Sequence, residues 1–183
     1  LGVKCQAKNR ASSFQADIVP VVQVHEDILQ DPVSIKTSSG NILTYPRDHK
    51  NNGISKHSAT DQNYKPMIRI FKNWVKAKLD KDVISSHKIE SLIHSVDTSL
   101  FSNDHLASFI LISDSIIKKL QERNSIAKII PSVCGNENIT TNWDYSNRNV
   151  FLNELIKARN LAMQSWEAKS SIEASKYWNQ IFN

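Results

Sequence analysis

The chain changes its repeat at Thr60, and that change restricts it to folds in which an extended front part precedes a helical remainder. Between Val3 and Val24 the reading is extended. Val3, Cys5 and Ala7 alternate with polar residues, Ser12-Ser13 offers a turn, and the stretch from Phe14 to Val24 is strongly β-branched. A pair of antiparallel strands is predicted. Pro20 has no N–H for a ladder, so it is expected at an edge, a bulge or the end of hydrogen bonding. From Gln30 to Thr60 the chain is rich in Ser, Thr, Asn, Asp and Gly, including Ser38-Ser39-Gly40-Asn41 and Asn51-Asn52-Gly53. Such residues build surface loops, here around a short hairpin near Ile42 to Tyr45.

Beyond Thr60, helices are predicted over 61–78, 86–96, 104–122, 146–166 and 170–182. In the first, Ile68, Phe71, Val75 and Leu79 recur at the spacing of a buried face, while Lys65, Arg69, Lys72 and Lys76 fall on another. The last opens with Ser170 and Glu173 in capping-box spacing. Pro131, Gly135 and several Asn residues predict a long irregular loop over 124–144. The fold class expected is α+β, a sheet followed by a mainly α-helical bundle.

A net charge of +5 fits a nucleotide or nucleic-acid partner and is also common without one. No apolar run approaches the roughly 20 residues of a membrane span, so a soluble protein without a membrane partner is expected. Cys5 and Cys134 stand far apart with no Cys/His cluster, which disfavours a disulfide framework or structural zinc and suggests a reducing, cytoplasmic setting.

Three groups of residues bear on chemistry. Asp17, inside an apolar β-run, must face solvent, pair with a cation or bind a metal. The cation row of Lys65 to Lys76 is either the wet side of an amphipathic helix or an anion-binding wall. Ser85 and Ser86, where the chain re-enters a helix, place hydroxyls and unpaired N–H groups where an anion can meet them. His87 beside them could stack on a base or cap the helix, and loop structure is expected for Asp48 and His49.

Taken together, Ala16-Asp17-Ile18-Val19-Pro20, Tyr45-Pro46-Arg47-Asp48-His49, the run from Tyr64 to Trp74, and Ser85-Ser86-His87-Lys88-Ile89-Glu90-Ser91-Leu92 resemble the second half of a polymerase-beta-type nucleotidyltransferase. The nearest group is the bacterial cyclic-oligonucleotide synthases, with cyclic GMP-AMP synthase and oligoadenylate synthase. Ala158 to Ala162, Trp166, Ala168 and Tyr177-Trp178-Asn179-Gln180-Ile181-Phe182 resemble the close of their helical domain. The resemblance implies a sheet remnant of the catalytic palm domain over 1–60 and a helical domain over 61–183 that closes the nucleotide cleft. It implies that Asp17 is a metal-binding, catalytic carboxylate, and that Lys72 and Ser86 contact the donor triphosphate. His87 would stand where relatives stack an aromatic on the donor base. Read from its position alone, Arg69, one turn from Lys72, either assists that lysine or makes a structural salt bridge. Two Mg²⁺ ions and nucleoside triphosphates follow as cofactor and partners, with a nucleotide or oligonucleotide as acceptor. Second-messenger synthesis and a part in antiviral signalling follow from the same likeness.

The resemblance also implies what is missing. These enzymes place a Gly-Ser motif and a paired-carboxylate strand before the segment seen here; Gly2 is isolated, and no Asp-x-Asp or Glu-x-Asp stands near the start. The expectation is therefore the carboxyl-terminal part of a longer enzyme, inactive by itself, with its catalytic half upstream or on another chain. Two rival readings belong to other classes: a noncatalytic helical module that binds nucleic acid through a basic face, and a plain interaction or scaffold domain.

Overall fold

The computed structural model describes residues 3–9, 12–18, 21–23, 32–37, 40–121 and 129–183. Two compact units divide between Asn51 and Asn52.

In the first unit, β1 (Val3–Asn9) pairs antiparallel with β2 (Ser12–Ile18), in register from Val3 opposite Ile18 to Asn9 opposite Ser12. The expected strand pair is present, but its second strand ends at Ile18. The β-branched residues beyond it form β3 (Val21–Gln23), which joins a separate antiparallel sheet with β4 (Val33–Thr37) and β5 (Gly40–Thr44). Pro20, which stands between the two sheets in sequence, lies outside the described residues. The expected hairpin is that of β4 and β5, with Val33 opposite Thr44 and Thr37 opposite Gly40.

A helix replaces the loop expected after it: α1 spans Pro46–Ala59. Pro46 is suited to a first helical position because its fixed φ fits and its missing N–H is not needed there. The His49 N–H donates to the Tyr45 carbonyl at 3.0 Å, so Asp48 and His49 sit in a helical first turn and not in a loop. Asp48 near the start and Lys56 near the end carry the charges that a helix dipole favours. No residue of α1 is fully buried, so no apolar period marked it in sequence, and Gly53 inside it disguised it further.

A tight elbow turns α1 into α2 (Tyr64–Lys78). Thr60 is buried there; its hydroxyl donates to the Lys56 carbonyl at 2.9 Å and accepts the Tyr64 N–H at 3.0 Å. Asp61 and Gln62 both take left-handed backbone, with φ of 46° and 67°. Such a conformation costs an L-residue roughly 1–2 kcal/mol. The Gln62 N–H, bonded to the His57 carbonyl at 2.9 Å, helps to hold it.

The remaining elements are α3 (Ser86–His94), a 3₁₀ turn (Thr98–Leu100), α4 (His105–Gln121), α5 (Tyr145–Glu167) and α6 (Ser171–Phe182). The buried stripe of α2 is rotated from the expected one. Phe71 and Val75 are buried as predicted, whereas Ile68 and Leu79 are only partly covered, and Tyr64, Met67 and Trp74 complete the interior face. Large rings claim that face because each buries more apolar area than the aliphatic alternatives. Trp74 meets Phe151 of α5 with ring centroids 5.6 Å apart, Phe71 meets Phe109 of α4 at 4.7 Å, and Phe109 meets Trp178 of α6 at 5.8 Å. Of the expected loop, residues 129–144 are described, and they are packed: Ile130, Val133, Ile139 and Trp143 are buried, and Pro131 bridges antiparallel to Asn138. Among the described residues no helix is long and apolar enough to cross a membrane.

Candidate functional site

The corner where α2 meets the start of α3 brings together most of the residues singled out in the sequence. Ser85 is the N-cap of α3: its hydroxyl accepts the Lys88 N–H at 3.3 Å, which commits the first of the two serines to the helix itself. Ser86, the first helical residue, keeps an exposed hydroxyl with no hydrogen bond among the described residues. One turn on, Glu90 lies on the same face of α3 and accepts the Lys72 ammonium from α2 in a direct ion pair. Lys72 is thus held on the α3 face that begins with Ser86, one turn along the helix from it.

The corner is fixed by the 129–144 segment and by the first turn of α5. The Trp143 indole N–H donates to the Val83 carbonyl at 2.9 Å, the Lys88 ammonium to the Asn142 carbonyl at 3.2 Å, and the Asn147 amide to the Asp82 carbonyl at 3.3 Å. Five residues with a part in the corner were not singled out in sequence: Glu90, Glu137, Asn142, Trp143 and Asn147. Helical spacing signals Glu90, four residues after Ser86; nothing local signals the other four, whose contacts with the corner span at least 50 positions along the chain.

The remaining predicted residues are placed as follows. His87 turns toward that same segment, its Nε2 3.5 Å from Glu137 Oε1. Arg69 is exposed on α2, one turn before Lys72. Asp17 lies in β2 of the first unit, opposite Lys4 in the β1 register; its side chain is outside what is described. Among the described residues no three His, Cys, Asp or Glu side chains come together. What the corner offers chemically is an ammonium, a free hydroxyl and a helix start, a donor set suited to phosphate oxygens.

Tyr64 ties the corner to the core. Its hydroxyl reaches the Glu90 carbonyl at 3.5 Å, and burial, with the nearby Glu90 charge, pushes the phenol well above its usual range.

Comparison with known proteins gives a consistent picture. Residues 51–160, more than half the chain, match the model of the cGAS/DncV-like nucleotidyltransferase C-terminal helical domain. Cyclic nucleotide synthase CdnE01 of Staphylococcus haemolyticus is 28% identical over 148 residues, covering 76% of this chain and 42% of its own. Cyclic GMP-AMP synthase CdnE03 of Staphylococcus schleiferi is 24% identical over 178 residues, covering 85% of this chain and 51% of its own. The chain therefore spans about half the length of these relatives. Among solved structures, E. coli MS115-1 CdnC with ATP superposes with a TM-score of 0.74 at 15% identity, over 98% of this chain and 63% of that one. Rhodothermus marinus CdnE c-UMP-AMP synthase, with Apcpp and Upnpp, gives 0.66 at 20% identity, over 90% of this chain and 61% of that one. At these identities the structural likeness shows the fold.

Proposed function

The chain belongs to the family of the cGAS/DncV-like nucleotidyltransferase C-terminal helical domain, and from that premise we propose that its α2–α3 corner holds the triphosphate of a donor nucleoside triphosphate. The observation that carries this reading is the Lys72–Glu90 ion pair, which holds the ammonium on the face that starts with the free Ser86 hydroxyl. Lys72 supplies a point charge to the phosphates, Ser86 donates its hydroxyl, and the first turn of α3 adds backbone N–H donors. Arg69 lends further positive charge one turn away. His87, already turned to Glu137, shapes the edge of the corner and is the natural neighbour of the donor base.

In the whole protein the proposed reaction transfers a nucleotidyl group from that donor to a hydroxyl of a nucleotide or oligonucleotide acceptor, giving a cyclic or linear second messenger. The relatives named as cyclic nucleotide synthases support this reading. Asp17 is proposed as one carboxylate of the magnesium site such a transfer uses, with the other ligands outside the described residues. The contribution argued for this chain is phosphate binding and orientation, and alone it is proposed to be inactive. A cytoplasmic role in antiviral signalling is proposed on the same likeness.

Binding of a nonhydrolysable ATP analogue tests the assignment. Losing one charge-assisted contact costs about 1.5–3 kcal/mol, so Lys72→Ala is expected to weaken binding at least about tenfold. Ser86→Ala is expected to weaken it less. Unchanged affinity in both variants would remove the corner from nucleotide binding.

A further inference from the structure

The cations of the α2 row are not equivalent. Lys72 has an acidic partner in Glu90. Lys65 and Arg69, two turns and one turn toward the helix start, are exposed, and neither has an acidic partner among the described residues. They are four residues apart, and therefore neighbours on one face. The side chain that α1 brings to them is also a base. His57 Nδ1 accepts the Lys65 backbone N–H at 3.5 Å, which leaves the ring proton on Nε2 as a donor. Desolvation, and then the charges of Lys65 and Arg69, hold the His57 imidazole below its usual range.

Lys65 and Arg69 repel one another with no counter-charge among the described residues, and an anion relieves that repulsion. We propose that His57, Lys65 and Arg69 form a phosphate-binding subsite separate from Lys72 and Ser86. The chemistry is that of a phosphate group, with Arg69 able to take two oxygens, Lys65 a third contact and His57 Nε2–H a fourth. A nucleotide and the backbone of a polynucleotide both carry that group. The subsite does not depend on the role of Lys72 or Ser86.

The test uses the full chain and two probes, inorganic tripolyphosphate and a short single-stranded oligouridylate, with the His57 ring resonances followed by NMR. At least one probe is expected to shift those resonances and raise the pH at which His57 titrates. Lys65→Gln/Arg69→Gln should abolish the shift and weaken that probe at least tenfold, while Lys72→Ala retains it. Both replaced side chains are exposed, and circular dichroism checks that the variant keeps its helices. Response to tripolyphosphate alone identifies a nucleotide phosphate. Response to the oligouridylate, with a log–log salt slope lowered by about 1.4 in the double variant, identifies a polynucleotide. If neither probe moves His57, or the double variant binds both as the parent does, the subsite does not exist. Loss of ATP-analogue binding in Lys72→Ala together with an inert double variant would leave the donor site standing and this subsite refuted.

Discussion

Removing the Trp143 indole N–H is expected to loosen the start of α3 from a distance, because that group is buried and holds the Val83 carbonyl just before the helix. Trp143→Phe should cost about 1–3 kcal/mol in urea unfolding, the usual range when a buried acceptor loses its donor. It should also weaken ATP-analogue binding without touching the ligand. Tyr64 supplies a pH test. Its pKa is raised in the folded chain, so its contribution is fully present below the ordinary tyrosine value near 10 and is lost as pH climbs toward the folded value. Comparing the parent with Tyr64→Phe isolates this effect from the lysines. The stability difference should be flat between pH 7 and 9 and then shift against the parent by at most about 1.4 kcal/mol per pH unit above pH 10. A difference independent of pH would refute the raised pKa.

At the scale of elements, two small changes probe how ends and turns are made. Ser170 caps α6 by accepting the Glu173 N–H at 3.2 Å, and Glu173 Oε2 returns to the Lys169 N–H at 3.3 Å. Ser170→Ala should cost about 1 kcal/mol and raise hydrogen exchange in the first turn of α6. Gln62→Gly should raise stability by about 0.5–1 kcal/mol, since glycine removes the left-handed strain at a φ of 67°. This capping box was legible in the sequence, as were the five helices after Thr60, because their apolar residues repeat and their caps are local. The α1 helix was not, because a helix without a buried stripe has no period to read. At the candidate site, the places of Lys72 on a helix face and of Ser86 at a helix start were legible from spacing, while their proposed roles come from the family likeness. The contacts of Trp143 and Glu137 were not, because they depend on a segment that returns to α3 from far along the chain.

At the scale of the molecule, the hydrophobic core among the described residues lies between Tyr64 and Ile181, inside the second compact unit. Residues 52–183 expressed alone are therefore expected to unfold cooperatively in a calorimeter; a broad transition would show that the core needs more of the chain. The chain of packed rings through that core has an optical consequence. Trp74 and Trp143 are buried and Trp178 is half-buried, whereas Trp166 is 56% exposed. Fluorescence should then divide into a blue-emitting population shielded from iodide and one red-emitting, quenchable indole. Trp166→Phe should remove the quenchable part and leave three shielded indoles, of which Trp143 stands at the α2–α3 corner and gives the remaining emission a component that reports the state of the site with no label attached.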